Sequence, residues 1–406
     1  MKILFLTHCY YPAFGGSELL IRNIAERLAN EYNYNCRVFT TDAYSTDAFN
    51  NAELSKIPQK YEIINNVKIN RYSINYCISD ILKIADRFFD LDNFNIFQLA
   101  KNGPISFKML ADILNYDCDI IVATAFPMFQ MYYAYLAKKI ADKKIVIQGN
   151  LHLENSGYNN ALIDKIIDSA DGYVCLTEYE YKYLTDKFCS DEKFKIIRPA
   201  LVSAKSIISE DTKKKIKEKL RISEDKIILY FGQINPTKNL KILIDAFSIV
   251  CKKIENCALV IAGATYSQYN IELEKYADSK VLKNKIYFFN NVSDEEKDDI
   301  YYSADLYVNP SENESYSITT IEALAFSLPI AISDIAQLSE LAANNNGLVF
   351  EKGNAEALAE KINLILANSE LAQNLKKSAL RRFEEYYNNR DYIKVYNDFL
   401  IKCSNI

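Results

Sequence analysis

Short apolar runs alternate with amphipathic segments along most of the 406 residues. Residues 2–6 (KILFL) predict a buried strand, and residues 17–29 predict a helix with one apolar face formed by Leu20, Ile21, Ile24 and Leu28. Further strands are predicted at 36–40, 119–124, 144–148 and 172–176. Strands that alternate with helices in this way are typical of α/β proteins with parallel sheets.

A charged stretch at residues 206–225 interrupts the alternation, which then resumes. The strands predicted after it lie at 226–231, 258–262, 285–289, 305–308 and 329–332. The pattern therefore predicts two similar α/β halves that join near residue 200. Residues 41–60 and 76–110 fit the alternation poorly, and we expect them to decorate the first half.

Composition and charge exclude several classes of protein. The chain is 49% hydrophobic and 25% charged, which is typical of globular proteins, and its net charge of -5 argues against nucleic-acid binding. Nine scattered cysteines without a CxxC pair indicate a reducing cytoplasm, and two histidines are too few for a histidine-rich metal site. MKILFL does not resemble a signal peptide, and residues 120–137 predict a strand, a turn and a helix rather than a membrane span.

Glycine is scarce and lies where a ligand would bind. Of ten glycines, the pair Gly15-Gly16 and the single residues Gly149, Gly232 and Gly263 lie at or after the carboxyl ends of predicted strands. That edge of an open α/β sheet binds ligands. A Gly-Gly pair that opens a helix lets the backbone approach a phosphate, although a plain turn with Ser17 as helix cap explains it equally well. Neither GxGxxG nor a P-loop motif is present.

Three charged residues are candidates for chemistry in the second half. Lys238 follows Gly232 near the start of the next predicted helix, where a cation could neutralise a diphosphate, or where it could be an ordinary surface lysine. Glu314 and Glu322 lie in NPSENESYSITTIEALAFSLPIA. Thr319 and Glu322 fit a capping box, which would explain Glu322 but not Glu314. Alternatively, both carboxylates could accept hydrogen bonds from the vicinal hydroxyls of a sugar or ribose.

These motifs occur in an order that resembles retaining GT-B glycosyltransferases of family 4. Glu314-(x7)-Glu322 resembles their E-x7-E signature, and the Gly-Gly loop, the glycine-to-lysine element 232–238 and YYSADLYVNPS match in the same order. The resemblance implies a GT-B fold of two doubly wound Rossmann-like domains that face each other across a cleft. It implies an acceptor-side domain at 1–200, a nucleotide-sugar-binding domain at 201–387, and a C-terminal helix within 388–406 that crosses back to the first domain.

The resemblance also implies roles for individual residues. Glu322 would bind the ribose of the donor, and Glu314 would contact the transferred sugar. His152 would contact the sugar as well, although Gln148 could occupy that place instead. The diphosphate would be held by Lys238, by the Gly15-Gly16 loop and by the backbone amides of Ser315, Tyr316, Ser317 and Ile318. The family generally works without a metal, and no cofactor is expected.

Two departures from the family pattern concern the diphosphate. Gln233 stands where the family usually has an arginine, and Ser315 and Ser317 stand where glycines are common. Another cation, such as Lys241, could replace the missing arginine. If none does, the chain could be a non-catalytic nucleotide-sugar-binding subunit. A nucleotide-sugar epimerase or a hydrolase is a further alternative.

The expected activity is that of a hexosyl- or related glycosyltransferase of the EC 2.4 class. It would move a sugar, with retention of configuration, from a nucleotide diphosphate-sugar to a hydroxyl of a glycan or lipid-linked acceptor in cell-surface polysaccharide or glycolipid synthesis. We expect a cytoplasmic protein with peripheral contact to the inner face of the membrane. ILKIADRFFDLDNFNIF, within 76–110, could border a lipid-linked acceptor or be a buried decoration.

Overall fold

The computed structural model describes residues 1–13, 15–78, 81, 95–153, 158, 160–265, 268–280, 282 and 285–405. Most of the segment ILKIADRFFDLDNFNIF therefore lies outside the described residues, and so does the prediction that concerned it. The chain forms two compact units, Met1–Leu201 with Arg390–Ile406, and Val202–Asn389. The roles that we predicted for the domains 1–200, 201–387 and 388–406 stay predictions.

The first unit is built on an eight-stranded sheet of order β3-β4-β2-β1-β5-β6-β7-β8. Its strands are β1 Lys2–Leu6, β2 Asn35–Thr41, β3 Tyr61–Ile64, β4 Val67–Tyr72, β5 Ile120–Ala123, β6 Ile145–Gln148, β7 Gly172–Cys175 and β8 Phe194–Ile196. Only β3 runs antiparallel to its neighbour. Its described helices are α1 Gly16–Tyr32, α2 Asn95–Asn102, α3 Phe107–Asn115, α4 Gln130–Ala141, α5 Ala161–Ser169 and α6 Glu178–Phe188.

The second unit is built on a parallel six-stranded sheet of order β11-β10-β9-β12-β13-β14. Its strands are β9 Lys226–Phe231, β10 Cys257–Gly263, β11 Ile286–Asn290, β12 Leu306–Asn309, β13 Ile330–Ser333 and β14 Gly347–Phe350. Its described helices are α7 Glu210–Leu220, α8 Leu240–Val250, α9 Tyr269–Ser279, α10 Asp294–Ser303, α11 Ile318–Ala325, α12 Ala336–Ala342, α13 Ala355–Ala367 and α14 Ser369–Tyr386. Each sheet packs against helices around its own apolar core.

The apolar pattern predicted the central strands correctly and missed strands at the margins. Every strand predicted above closely overlaps an observed one, and the strands that were missed are β3, β4, β8 and β14. β3 and β4 form a hairpin whose turn residues, Asn65 and Asn66, both have positive φ. Tyr61 and Ile63 on β3 are exposed, so this edge strand lacks the continuous apolar run that marks a central parallel strand.

The last helix, α15 (Tyr392–Ser404), belongs to the first unit although the chain reaches it from the second. The hydroxyl of Tyr34 donates a hydrogen bond of 2.8 Å to the side-chain oxygen of Asn397, and the hydroxyl of Tyr392 bonds the side chain of Asn23. A side chain on Gly172 would collide with Cys403 and Phe399 of this helix. Among the residues described above, no helix is both long enough and apolar enough to span a membrane.

The carboxyl ends of β9 and β10 approach each other closely through two glycines. Gly263 has a φ of +135°, and a Cβ placed on it would lie 1.9 Å from the carbonyl oxygen of Gly232. The amide of Gly232 in turn donates to the carbonyl of Ala262 at 3.0 Å. Only glycine fits this contact, which fixes the chain immediately before the segment that carries Lys238.

We predict that Gly263→Ala lowers the free energy of unfolding by at least about 3 kcal/mol, because the backbone of Gly232 must move away. The matched control is Gly353→Ala, since Gly353 also has a positive φ of +76° but no heavy atom within 4 Å of the added Cβ. That control should cost about 1–2 kcal/mol from backbone strain alone. Equal shifts of the urea midpoints of the two variants would contradict the steric explanation.

Candidate functional site

The loop between β12 and α11 is tied together by one buried amide. Asn309, the last residue of β12, donates through its side-chain nitrogen to the hydroxyls of Ser317 at 2.9 Å and Thr320 at 3.1 Å. Its side-chain oxygen accepts from the amide of Ser311 at 3.1 Å. Ser317 precedes α11 in the left-handed conformation, with a φ of 52°. Both ends of the loop that contains Glu314 are therefore held to the end of β12.

Lys238 and Glu314 form an ion pair at the carboxyl edge of this sheet. The lysine ammonium lies 2.6 Å from Oε1 of Glu314, and the hydroxyl of Ser311 donates to the same oxygen at 3.1 Å. Lys238 ends the 3₁₀ turn Pro236–Lys238, which the side chain of Asn235 caps. The two side chains are 18% and 12% exposed, so the pair is shielded but a ligand can still reach it. Lys238 is thus a partly buried, ion-paired lysine, and its role in binding a diphosphate stays a prediction.

Glu322 lies in α11 and binds two side chains of α10. Its Oε1 lies 2.9 Å from the ammonium of Lys297, and its Oε2 accepts from the hydroxyl of Tyr301 at 2.9 Å. The ring of Tyr301 stacks on Phe231 and on Phe326, with centroids 5.1 and 4.8 Å away. Burial, and next the charge of Glu322, raise the pKa of Tyr301 well above its usual range. The phenol therefore stays protonated and donates to the carboxylate.

The capping-box explanation of Glu322 is wrong. Ser317 occupies the N-cap position of α11 and its side chain makes no cap hydrogen bond, while Thr319 lies inside the helix. The hydroxyl of Thr319 accepts instead from Tyr307 at 2.9 Å. The carboxylate of Glu322 is directed to α10 rather than back to the start of its own helix. Because Ser317 takes the left-handed conformation, α11 begins too early for Thr319 to cap it.

The backbone segment predicted to hold the diphosphate begins α11. Ser315 and Tyr316 precede the N-cap Ser317, and Ile318 is the first helical residue. The first amides of an α-helix have no acceptor within the helix, and the helix dipole favours an anion beside them. The geometry fits a phosphate ligand, and the assignment of these amides to the diphosphate stays a prediction.

Gln233, where the family usually has an arginine, lies directly after Gly232 and is half-buried. Its side-chain oxygen accepts from the side chain of Asn235 at 3.3 Å. Its carbonyl accepts from the hydroxyl of Tyr230 at 2.8 Å. Lys241, the cation suggested as a replacement, lies 2.6 Å from Glu272 on the next helix. That contact gives Lys241 a different partner and leaves Lys238 as the cation beside Glu314.

The Gly15-Gly16 loop of the first unit is built around a buried carboxylate that the sequence analysis missed. Oε1 of Glu18 lies 2.9 Å from Nε2 of His8, and both side chains are buried. A Cβ on Gly15 would lie 2.1 Å from Oε2 of Glu18, so a side chain there would displace the carboxylate from its present position. Gly15 is the N-cap of α1, and Ser17 donates to Glu18 rather than capping the helix. The Ser17-cap alternative is therefore wrong.

Two side chains of this loop and one of the first turn of α1 could also be metal ligands. Among the described ranges, the ligand atoms of His8, Cys9 and Glu18 lie within 4.8 Å of one another. Burial, and then the charge of Glu18, raise the pKa of Cys9 well above its usual range, whereas a metal binds the thiolate. Since Nε2 of His8 already contacts Glu18, the arrangement fits a hydrogen-bonded pair better than a metal centre. The expectation that no metal takes part stays a prediction.

His152 lies in the loop that follows β6. Gln148, the alternative to it, ends β6 and is buried, whereas His152 is half-buried and its ring lies 5.5 Å from that of Tyr158. The exposed part of the histidine makes it the better placed of the two to contact a ligand. Gly15, Gly16 and His152 belong to the first unit, and Lys238, Gln233, Glu314 and Glu322 belong to the second.

The comparisons with known proteins concern the second unit and the fold. Residues 211–382 match the family model described as glycosyl transferases group 1. This part of the chain is similar to that family. Residues 211–382 contain Gln233, Lys238, Glu314 and Glu322, and they include every candidate site residue of the second unit.

Two curated relatives each align with a longer part of the chain than residues 211–382. An uncharacterized glycosyltransferase of Haemophilus influenzae is 28% identical over 54% of this chain and 58% of its own length, so the chain spans little more than half of that relative. The alpha-monoglucosyldiacylglycerol synthase of Streptococcus pneumoniae is 23% identical over 81% of this chain and 70% of its own length.

The solved structure of Anabaena Alr3699/HepE in complex with UDP and glucose covers 98% of this chain and 99% of its own, with a TM-score of 0.72 and 17% identity. At that identity the similarity establishes the fold. The predicted GT-B fold of two doubly wound α/β domains is confirmed.

We predict that Glu18→Gln lowers the stability of the chain near neutral pH and that the loss shrinks in acid. Burial raises the pKa of Glu18, but the contacts with His8 outweigh it and hold that pKa below its usual range. A carboxyl with a lowered pKa stabilises the folded state above its unfolded pKa, and the stabilisation disappears as the pH falls through the folded value.

Urea midpoints of parent and variant, measured at several values between about pH 7 and pH 4, check this prediction. Their difference should be constant down to about pH 5 and then decrease. Glu31→Gln, the same change at the exposed end of α1, serves as the control and should have a smaller effect at neutral pH. A difference for Glu18→Gln that persists unchanged in acid would contradict the role of the charged carboxylate.

Proposed function

We propose that this chain is a glycosyltransferase that moves a sugar from a nucleotide diphosphate-sugar to a hydroxyl acceptor, with retention of configuration. The observation that carries the proposal is the Lys238–Glu314 ion pair beside the start of α11. It provides a cation, a carboxylate and a helix N-terminus at the carboxyl edge of a parallel sheet, where nucleotides bind in this class of fold. The similarity of residues 211–382 to the glycosyl transferases group 1 family supports it independently.

In the proposed reaction, the bond between the sugar carbon and the diphosphate oxygen breaks, and the acceptor oxygen forms a bond to that carbon on the same face. The proton of the acceptor hydroxyl goes to the departing phosphate. Negative charge grows on the diphosphate as the bond breaks. The ammonium of Lys238 and the first amides of α11 would stabilise this charge more strongly in the transition state than in the ground state.

In this proposal the two glutamates bind the two sugar rings of the donor, namely the transferred sugar and the ribose. Glu314 would accept hydrogen bonds from hydroxyls of the transferred sugar and would share Lys238 with the diphosphate. Glu322 would accept from the ribose hydroxyls, and each oxygen that now binds Lys297 or Tyr301 retains a second lone pair for that purpose. His152 and the Gly15-Gly16 loop are assigned to the sugar and the diphosphate by resemblance.

The acceptor is assigned more coarsely. The name of the Streptococcus pneumoniae relative, alpha-monoglucosyldiacylglycerol synthase, supports a lipid-linked acceptor and hence glycolipid synthesis. A growing cell-surface polysaccharide presents the same chemical group, an alcohol hydroxyl. We propose a cytoplasmic protein that meets such an acceptor at the inner face of the membrane.

The second candidate function is a non-catalytic subunit that binds a nucleotide-sugar. Gln233 favours this alternative, because a neutral amide supplies less charge to a diphosphate than the usual arginine. The close Lys238–Glu314 pair favours catalysis, because a protein that only binds the donor has no need to stabilise a departing phosphate.

We predict that the purified chain releases nucleoside diphosphate from its donor only when an acceptor extract is supplied. Glu314→Gln and Lys238→Met should each lower kcat by about a hundred- to a thousand-fold, the usual effect of removing one group that stabilises a transition state. Glu312→Gln is the matched control, since Glu312 lies in the same loop and contacts Asn239 rather than Lys238. Coupled detection of released diphosphate and of glycosylated product measures both quantities.

The same experiment separates the alternatives. Glu322→Gln should weaken donor binding about ten- to a hundred-fold while kcat changes less, since hydrogen bonds to a charged group contribute about 1.5–3 kcal/mol. Release of diphosphate without any acceptor would indicate a hydrolase. Donor binding without transfer to any acceptor in the extract would support the binding subunit.

Gln233→Arg tests whether the missing arginine limits the reaction. We expect this variant to change kcat by less than about three-fold, because Lys238 already supplies the positive charge. A rise of about ten- to a hundred-fold would show instead that the parent lacks 1.4–3 kcal/mol of leaving-group stabilisation. Tighter donor binding without turnover would again favour the binding subunit. Lys238→Met should remain severely impaired in both backgrounds.

A further inference from the structure

A second buried carboxylate of the first unit, Glu180, holds the loop that leads to His152. Glu180 lies in the first turn of α6 and is 2% exposed. Its Oε1 accepts from the hydroxyl of Tyr173 at 2.7 Å and from the amide of Leu151 at 3.1 Å. Its Oε2 accepts from the amide of Leu176 at 3.0 Å. One carboxylate thus joins the loop after β6 to the loop after β7.

The loop after β6 lies flat against this carboxylate. The amide of Gly149 donates to the carbonyl of Val174 at 2.8 Å, which extends the pairing of β6 with β7 by one residue. A Cβ on Gly149 would lie 2.5 Å from the ring of Tyr173 and 2.8 Å from Oε1 of Glu180. Only glycine fits at position 149 without a steric clash. Two residues later, the amide of Leu151, directly before His152, donates its hydrogen bond to Glu180.

Both side-chain oxygens of Glu180 must act as hydrogen-bond acceptors, because every group that faces them is a donor. The two backbone amides can only donate, and burial, followed by the charge of Glu180, raises the pKa of Tyr173 well above its usual range, so its phenol donates as well. The amide group of a glutamine offers one oxygen and one NH₂ group, so it would place a donor against a donor. A carboxylate at the start of α6 is also favoured by the helix dipole.

We propose that Glu180 is a positioning residue for His152, which it acts on through the amide of Leu151. The proposal rests on the proposed function in one respect, namely that His152 contacts the sugar. The simpler explanation is that Glu180 only stabilises the corner between β7 and α6. The two differ in what Glu180→Gln does to His152 itself.

The histidine content of the chain makes His152 directly observable. His8 and His152 are the two histidines of the sequence, so a protein labelled with ¹³C-histidine gives two sets of imidazole signals. Loss of one set in His152→Gln assigns them. His8 lies in the loop after β1 and serves as the internal reference. This readout needs neither donor nor acceptor, and a change confined to the corner of β7 and α6 would not move it.

The full chain carrying Glu180→Gln is compared with Thr177→Ala. Thr177 caps α6 by accepting from the amide of Glu180 at 3.0 Å, so its loss weakens the same helix and leaves both carboxylate oxygens in place. We expect Glu180→Gln to shift or split the His152 signals and leave those of His8 unchanged, whereas Thr177→Ala changes neither. In transfer assays Glu180→Gln should lower kcat about ten- to a hundred-fold, as small displacements of a reacting group do, with little change in donor KM.

The outcomes are distinct. Unchanged His152 signals, with a loss of kcat no larger than that of Thr177→Ala, would overturn the proposal and leave Glu180 a structural residue. A shift of the His152 signals in a chain whose parent transfers no sugar would support the positioning contact and refute the proposed function. If Glu180→Gln does not fold, Tyr173→Phe removes one bond to the same oxygen. That variant should shift the His152 signals less, and His152 signals that stay unchanged in it would overturn the proposal.

Discussion

The parallel pairing of β9 with β12 is the constraint on which the candidate site depends. Leu306 and Tyr307 of β12 pair with Ile228 and Leu229 of β9, so both strands end at the same edge of the sheet. The segment after β9 carries Lys238, and the segment after β12 carries Glu314, 76 residues further along the chain. Any disturbance of that register would separate the ammonium and the carboxylate, which now lie 2.6 Å apart.

Each of the two candidate glutamates of the second unit is paired with a lysine. Lys238 neutralises Glu314, and Lys297 neutralises Glu322. Two shielded carboxylates can therefore coexist eight residues apart in the sequence. The cost of desolvating a carboxylate falls when a cation and a hydroxyl share it, as Ser311 and Tyr301 do here. In the proposed function, a bound diphosphate would take over part of the positive charge of Lys238. The ion pair therefore keeps the site organised before a ligand arrives.

The first unit uses buried carboxylates differently. Glu18 contacts His8 of the loop after β1 and lies next to Gly15. Glu180 accepts a hydrogen bond from the loop after β6 and lies next to Gly149. In both loops the glycine leaves space for the carboxylate, and at Gly149 a Cβ would also meet the ring of Tyr173 and the carbonyl of Val174. Other bonds hold these loops as well: the hydroxyl of Thr41 donates to the carbonyl of His8 at 2.7 Å, and the amide of Gly149 donates to the carbonyl of Val174 at 2.8 Å.

The sequence alone determined that the chain has two α/β halves with parallel sheets. Buried parallel strands are continuous apolar runs, and their alternation with helices can be recognised in the sequence. It also brought Lys238, Glu314 and Glu322 to notice through order and spacing. It could not determine what each side chain contacts. The capping box of Thr319 and Glu322 is a local pattern, and the structure replaces it with partners from other elements, Tyr307 and Tyr301. The Ser17 cap is replaced by a hydrogen bond to the neighbouring Glu18, whose carboxylate His8 contacts from the loop after β1. Glu18 and Glu180 look like ordinary helix residues in sequence, and only the tertiary structure, which surrounds them with donors from neighbouring loops, decided that they are buried acceptors.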